Sequence, residues 1–284
     1  MDINFSLHLP KIISALSLLI LFPITLIVAN WINNKLTPYC IKDELLEKDN
    51  IALGVSFMAY NLAVTCVFIG AMLGPSTGLW QDLIAVGGYS FLGILMLNLA
   101  RFVNDKLILY KFCNVVEIIE QRNFGTGVVQ AGSYFASGCI IAASLHGEGG
   151  GVYTAVAFFF LAQIVLIVFS HIYNFVTPFD IHHEIEQGNN AAGLAFGGSL
   201  IAFGIILMNS VGGDFISWEY NLNLFFKNTI LAFVLLPFIR VVLDKIIFSH
   251  TSLNEKILVD KNTSAGMLEF SVTVGFSIIL FFII

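Results

Sequence analysis

The amino-acid sequence predicts an all-α polytopic membrane protein, with eight transmembrane helices arranged as four parallel two-helix repeats in two pseudo-symmetric halves. Three observations support this fold class: the composition, eight long apolar runs, and a helix-start motif that recurs four times. Of the 284 residues, 57% are hydrophobic and 11% are charged, whereas soluble domains carry about 25% charged residues. The composition therefore excludes an ordinary soluble domain and a disordered chain.

Each apolar run is long enough to cross a lipid bilayer as a helix. A transmembrane helix needs about 20 mostly apolar residues to span a hydrocarbon core of roughly 30 Å. Barrel strands would be about half as long and would alternate polar with apolar residues, which these runs do not. The predicted spans are residues 12–31, 51–73, 83–103, 124–145, 152–172, 191–211, 222–242 and 263–284.

The basic residues predict how the spans are oriented. Only Lys11 and Lys227 lie on the side that holds the two termini, and the other basic residues follow odd-numbered spans. By the positive-inside rule, the loops after the odd-numbered spans are cytoplasmic and both termini lie outside a bacterial plasma membrane. The basic residues assigned to the cytoplasmic loops are Lys35, Lys42, Lys48, Arg101, Lys106, Lys111, Arg122, Arg240, Lys245, Lys256 and Lys261.

An internal repeat organises the chain. An Asn-x-x-x-Gly motif opens each even-numbered span, and equivalent motifs in the two halves are offset by 139 residues. The same offset relates the segment from Arg101 to Lys106 to the segment from Arg240 to Lys245. We infer two four-helix halves, residues 1–149 and 150–284, built from parallel hairpins, which would form a ring or two packed bundles. The four motifs are Asn50 with Gly54, Asn123 with Gly127, Asn189 with Gly193, and Asn262 with Gly266.

The motif itself has a structural and a functional interpretation. Asn is a good helix N-cap, and Gly one turn later lets another helix approach closely. In the functional interpretation, four helix N-termini would converge on a vestibule that attracts an anion. The stretches at 115–120 and 253–258, just before two of these Asn residues, have apolar residues at helical spacing, which predicts short helices along the cytoplasmic interface.

Glu269 is the predicted site of proton or ion handling. It lies seven residues beyond Asn262, which places it about 10 Å along its helix, and a carboxyl group buried in hydrocarbon is costly. The equivalent position in the first half is Gln130, which a pseudo-twofold axis would place opposite Glu269 as a hydrogen-bonding neighbour. The alternative interpretation is a protonated Glu269 that only holds helices together.

Other chemistry receives little support from the sequence. His182 and His183 are residue types that bind metals, but they lack a firm ligand spacing. The cysteines show no CxxC spacing, and nucleotide-binding and nucleophile motifs do not occur. We therefore expect neither an enzyme nor a cofactor. The net charge of −6 argues against nucleic acid as a partner and leaves the lipid bilayer as the expected environment.

Two segments of the second half carry a resemblance to a known family. They are Thr177-Pro178 followed by residues 184–199, with the letters EIEQGNNAAGLAFGGS, and residues 261–267, with the letters KNTSAGM. These resemble the YjfL-like bacterial inner-membrane proteins, a family built on domain of unknown function 350. The first half resembles a diverged copy. The resemblance implies a plasma-membrane protein without an established activity, and relatives encoded beside membrane-stress proteins imply an ESCRT-III-like partner.

Two functions from different classes remain open at this point. The first is a channel or transporter that moves a small ion or a proton past Gln130 and Glu269. The second is a membrane scaffold for envelope maintenance that recruits a cytoplasmic partner. A water-accessible polar route to Glu269 would favour transport, and a dry core with an exposed cytoplasmic platform would favour the scaffold. The small residues that open the even-numbered spans also make a homo-oligomer plausible.

Overall fold

The computed structural model describes residues 5–246 and 252–284, and these residues form helices joined by short loops. Among them, eight helices are long and apolar enough to cross a membrane, as the sequence predicts. These are α1 (Phe5–Leu36), α3 (Ile51–Met72), α4 (Leu79–Leu107), α5 (Phe124–Leu145), α6 (Val152–Val176), α8 (Asn190–Val211), α9 (Trp218–Ile246) and α11 (Thr263–Ile283).

Four short helical segments precede the helix-start motifs. The two segments predicted from their apolar spacing are both helical, and the other two units contain equivalents. Each segment buries some of its apolar side chains, among them Ile118, Ile185 and Ile257, because these pack beneath the starts of the long helices. The segments are α2 (Ile41–Leu46), a π-helical turn at Val116–Glu120, α7 (Ile181–Glu186) and α10 (Leu253–Leu258).

A left-handed residue joins each short segment to the long helix that follows. Asp49, Arg122 and Lys261 have φ values of 48°, 52° and 45°, and Gly188 has a φ of 73°. Residues other than glycine rarely adopt this backbone conformation. The four units therefore share one backbone turn immediately before the Asn, which the sequence pattern did not reveal.

The helices that begin with the Asn motif pack in chain order as a row. Helix α3 contacts α5, α5 contacts α8, and α8 contacts α11. The expected ring is not formed, since the outward sides of α3 and α11 stay open, with Met58 56% and Met267 53% exposed. The central helices α5 and α8 are buried along most of their length.

Glycine makes this row compact. A Cβ atom at Gly266 would lie 2.6 Å from the Ala191 carbonyl oxygen, and one at Gly132 would lie 2.5 Å from the Gly197 carbonyl oxygen. These contacts are between backbones, so the neighbouring helix would have to move to admit any side chain. The close-packing role predicted for the motif glycines is therefore present at Gly127, Gly193 and Gly266.

The remaining long helices cover the row. Helix α4 packs against both α3 and α5, α6 against α5 and α8, and α9 against α8 and α11. Helices α4 and α9 end four residues beyond the predicted spans, at Leu107 and Ile246, so Asp105 as well as Arg101 and Arg240 lies inside a helix. The assignment of Arg101 and Arg240 to the cytoplasmic loops was wrong, whereas the predicted spans 83–103 and 222–242 do include them.

Candidate functional site

The Asn side chains form a ladder that links consecutive units. In each case the side-chain oxygen caps its own helix by accepting a backbone N–H bond. The side-chain amide of Asn50 donates to the Ile118 carbonyl at 2.9 Å, and that of Asn123 donates to the Ile185 carbonyl at 2.6 Å. Asn189 donates to the Ile257 carbonyl at 2.8 Å. Each Asn therefore caps one helix and anchors the short segment of the next unit.

A carboxylate completes each of these three nodes. The Asn amide also lies 3.4 Å from Glu44, 2.8 Å from Glu117 and 2.9 Å from Glu184 in units one to three. The Lys48 ammonium, followed by the Asn50 amide, lowers the pKa of the buried Glu44 carboxyl despite its burial. A charge-assisted hydrogen bond is about twice as strong as a neutral one, so these nodes fix the short segments firmly.

The first three short segments also present a row of exposed carboxylates. Glu47, Glu120 and Glu186 each stand three residues before the Asn of their unit, and all three are exposed. The equivalent residue of the fourth unit, Val259, is 70% exposed. The face that carries the helix starts, which we call the Asn face, thus repeats an exposed carboxylate in its first three units, among exposed basic residues such as Lys48 and Arg122.

Glu269 lies in an ion pair between two long helices. Its carboxylate on α11 is 3.2 Å from the Nε atom of Arg240 on α9, and the exposed fractions of the two side chains are 1% and 20%. The Arg240 guanidinium also donates to Thr177 at 3.3 Å and to Asn254 at 3.1 Å. The side chain therefore connects the buried carboxylate to the Asn face.

A small cavity of about 50 Å³ adjoins this ion pair. The Arg240 guanidinium sits 5.4 Å from the centre of the Tyr173 ring, which stacks on Phe196 at 5.1 Å. On the side away from the Asn face, Phe203 stacks on Phe169 at 4.0 Å and touches Phe233 at 4.9 Å. The cavity can hold about one or two water molecules, and packed aromatic rings lie beyond it.

Gln130 occupies the corresponding position in the first half, with other partners. Its side-chain oxygen accepts a bond from the Ser56 hydroxyl, and its amide donates to Asp105 at 3.0 Å. Arg101, the counterpart of Arg240, donates to Asn33 on α1. The first half thus carries its carboxylate on α4, whereas the second half carries Glu269 on α11.

The structure does not bring Gln130 and Glu269 together. They lie on α5 and α11, with α8 between them, and each is bonded within its own half. Sequence reasoning also missed Arg240 and Asp105 as members of the site. The signal that could have found them is the 139-residue offset, which aligns Arg101 with Arg240 as well as Gln130 with Glu269.

The two histidines have separate surroundings. The buried His182 ring places its Nε2 atom 2.7 Å from the Ile108 carbonyl, and burial lowers its pKa below the usual value. His183 is exposed. Asp180 caps α7 and pairs with Lys111. No three metal-binding side chains meet within residues 5–246 and 252–284.

A larger cavity lies at the opposite end of the long helices. It measures about 650 Å³ and is lined by the helix ends around Asp82, His146, Glu148 and Thr154, together with the glycine-rich loop 147–151. Three bonds from Ser76, Thr77 and Gly78 already engage Asp82. The cavity lies away from Arg240 and Glu269, so the two are separate features.

The tandem halves and the repeated helix starts match a known family. The family model described as Domain of Unknown Function (DUF350) matches twice, at residues 6–145 and 149–284. The chain belongs to the DUF350 family. The two matches confirm the duplication that the repeated motifs predict. They also confirm the resemblance to this family that two segments of the second half carry.

Two curated relatives extend this result. A UPF0719 transmembrane protein of Aquifex aeolicus (strain VF5) is 24% identical over 236 residues, which cover 80% of this chain and 84% of the relative. The UPF0719 inner membrane protein YjfL of Escherichia coli (strain K12) is 34% identical over 116 residues, covering 39% of this chain and 77% of the relative. No solved structure matches the chain.

Proposed function

We propose that this DUF350 protein is a non-transporting scaffold in a bacterial inner membrane, whose Asn face recruits a cytoplasmic partner. The single observation that carries the proposal is the ladder in which Asn50, Asn123 and Asn189 tie consecutive short segments into one platform. The inner-membrane location follows the printed name of the Escherichia coli relative. The positive-inside rule places the Asn face in the cytoplasm.

The interior of the protein supports a scaffold as well. Backbone contacts at glycine seal the row of helices, and aromatic rings fill the space beyond the small cavity at Glu269. Gln130 is engaged by Asp105 and Ser56 within its own half. Close backbone contacts and packed aromatic rings favour a rigid wall over a path for an ion.

The spaced carboxylates on the platform favour a partner with a basic surface. The partner class implied by the family resemblance is an ESCRT-III-like membrane-stress protein, which would meet Glu47, Glu120 and Glu186 in turn. Rim charges of this kind mainly set association rate and specificity. Binding should therefore weaken with rising salt concentration.

Charge reversal tests this proposal. A triple variant with Glu47→Lys, Glu120→Lys and Glu186→Lys should release a fluorescently tagged ESCRT-III-like protein of the same organism from the membrane. The matched control reverses Glu148 and Glu219, which are exposed on the opposite face. Unchanged membrane recruitment in a triple variant that melts like the wild type would refute the scaffold.

The ion pair between Glu269 and Arg240 supports a second candidate function, which is proton or small-ion transport. An ionisable residue inside a membrane is a functional-site hypothesis by default, and Arg240 leads from Asn254 on the Asn face to Glu269. Proteoliposomes with a trapped pH-sensitive dye would measure the flux. Transport requires that Glu269→Gln abolish the flux and that Gln130→Leu reduce it, whereas a wild-type flux equal to that of empty liposomes would exclude it.

A further inference from the structure

Neighbouring units join through one repeated interface. Counted from the motif Asn, the residue at +2 of one unit meets the glycine at +4 of the next unit. Eleven residues deeper, the residue at +13 meets the glycine at +15. The observed pairs are Ala52 with Gly127, Gly125 with Gly193, Ala191 with Gly266, Ala63 with Gly138, and Ala136 with Gly204.

The same interface is half-formed at both ends of the row. On α3, the first helix of the row, a Cβ at Gly54 would meet only the tip of Leu45 at 3.9 Å. On α11, the last helix of the row, a Cβ at Gly275 would meet nothing within 4 Å. Both faces are exposed and apolar, as Met58 at 56% and Ile278 at 46% show.

The two end faces complement each other in size. In the shared register, Gly275 stands at +13 of the fourth unit and Thr65 at +15 of the first. Two internal joints place alanine at +13 against glycine at +15, and the third carries Ala202 and Ser277 at these positions. At the open ends the order is reversed, so the larger Thr65 would face the glycine that lacks a side chain.

The Asn ladder is also incomplete at one end. Asn262 caps α11 through its side-chain oxygen but is exposed, whereas the three other motif Asn residues are buried and anchor a following short segment. The carbonyl in the matching position of a first unit is that of Leu45. Helix α1 lacks a covering neighbour too, since its Leu19 and Ile20 side chains are both 67% exposed.

We propose that a second copy of this chain continues the row, with α11 of one copy packed between α3 and α1 of the next. The contact is head-to-tail and reuses the interface that already joins the four units. Close packing of small residues is what drives helices to associate in lipid. A heterologous contact of this kind yields a closed ring or a filament, according to the rotation between copies. The proposal depends on neither the scaffold nor the transport function.

Cysteine pairing tests the register directly. The contacts of Gly132 with Gly197 and of Gly198 with Phe270 pair position +9 with position +8 of the next unit, which pairs Ser271 with Met58 of a second copy. In a background in which the four native cysteines are alanine, chains with Ser271→Cys and differently tagged chains with Met58→Cys are co-expressed and oxidised in the membrane. A disulfide-linked species carrying both tags is expected.

The matched control replaces Met58→Cys with Phe102→Cys, at an exposed site on the surface of α4. This pair should cross-link at least tenfold less than the Met58 pair. No mixed-tag species, or equal cross-linking of both pairs, would overturn the proposal and leave lipid as the occupant of the two faces.

A bulky residue tests the same contact without cysteines. Gly275→Leu places its side chain in open space within one chain, so the fold should be retained while the second copy is blocked. Overpacking should lower association by about tenfold or more. Gly88→Leu on α4 is the matched control, because its Cβ also meets nothing within 4 Å.

Subunits of a fluorescent fusion are then counted by photobleaching in lipid nanodiscs prepared directly from membranes. The wild type and Gly88→Leu should show two or more copies, and Gly275→Leu should show one. A monomeric wild type, or a Gly275→Leu variant that assembles like the wild type, would refute head-to-tail association.

Discussion

Replacing Arg240 with methionine removes the cation from a buried ion pair and keeps most of the apolar stem. The Glu269 carboxylate, 1% exposed and 3.2 Å from the Arg240 Nε atom, then remains inside the helix bundle without its strongest partner. Removing one member of a buried ion pair costs about 3–5 kcal/mol. Arg240 also loses its bonds to Thr177 and Asn254, so the upper part of that range is expected.

A double-mutant cycle separates the ion pair from these other contacts. Glu269→Gln removes the buried negative charge, so adding it to Arg240→Met should recover about 2 kcal/mol of the loss. Lys227→Met provides the matched control, since Lys227 lies on the same helix but is exposed. Its cost should stay within about 0.5 kcal/mol.

Equilibrium unfolding in mild detergent, driven by increasing SDS and followed by tryptophan fluorescence, measures these free energies. The reasoning would be refuted if Arg240→Met cost no more than Lys227→Met. It would also fail if the losses of Arg240→Met and Glu269→Gln simply added in the double variant, because the two side chains would then not be coupled.

Further predictions concern packing, capping and pH. Gly132→Leu should destabilise the protein by about 3 kcal/mol in the same unfolding assay, because a Cβ there meets the backbone of Gly197; a loss below 1 kcal/mol would contradict the close packing. Asn123→Ala should lower the free energy of unfolding by about 2 kcal/mol, since it removes an N-cap and a bond to the next unit. Calorimetric melting measures this loss, and an unchanged melting temperature would contradict the stabilising role of the ladder. Burial lowers the pKa of His182 below 6.5, so the unfolded chain binds more protons and stability should fall as the pH drops from about 6.5 through the lowered pKa. The melting temperature of His182→Phe should then depend less on pH over this range, and a variant with the wild-type pH dependence would contradict the prediction.

Much of the architecture follows from local patterns in the chain. Apolar runs of bilayer length predict the spans, because a helix satisfies its own backbone polar groups in lipid. The Asn at each helix start is predictable too, since an N-cap bond reaches only three residues along the chain, as from Asn189 to Ala192. The constant 139-residue offset predicts the duplication, which the two DUF350 matches confirm.

The candidate site was predictable only in part. Glu269 stands out because it is a carboxylate in an apolar helix, and the structure finds it buried. Its partner Arg240 lies 29 residues earlier on another helix, and no local pattern specifies which faces of two helices meet. Gln130 likewise forms hydrogen bonds with Ser56 and Asp105 rather than with the expected Glu269. The order of the helices in the row separates Gln130 from Glu269, because α8 lies between α5 and α11.

The sequence by itself determined the membrane class, the eight spans, the duplication and the four capped helix starts, since each depends on composition or on residues within one turn of each other. The tertiary structure alone decided that the units form an open row, that Asn50 reaches the carbonyl of Ile118 in the next unit, and that Glu269 is paired with Arg240. These are contacts between distant segments. Their geometry is set by how closely glycine lets the backbones approach, and the packing of whole helices must be known before it can be stated.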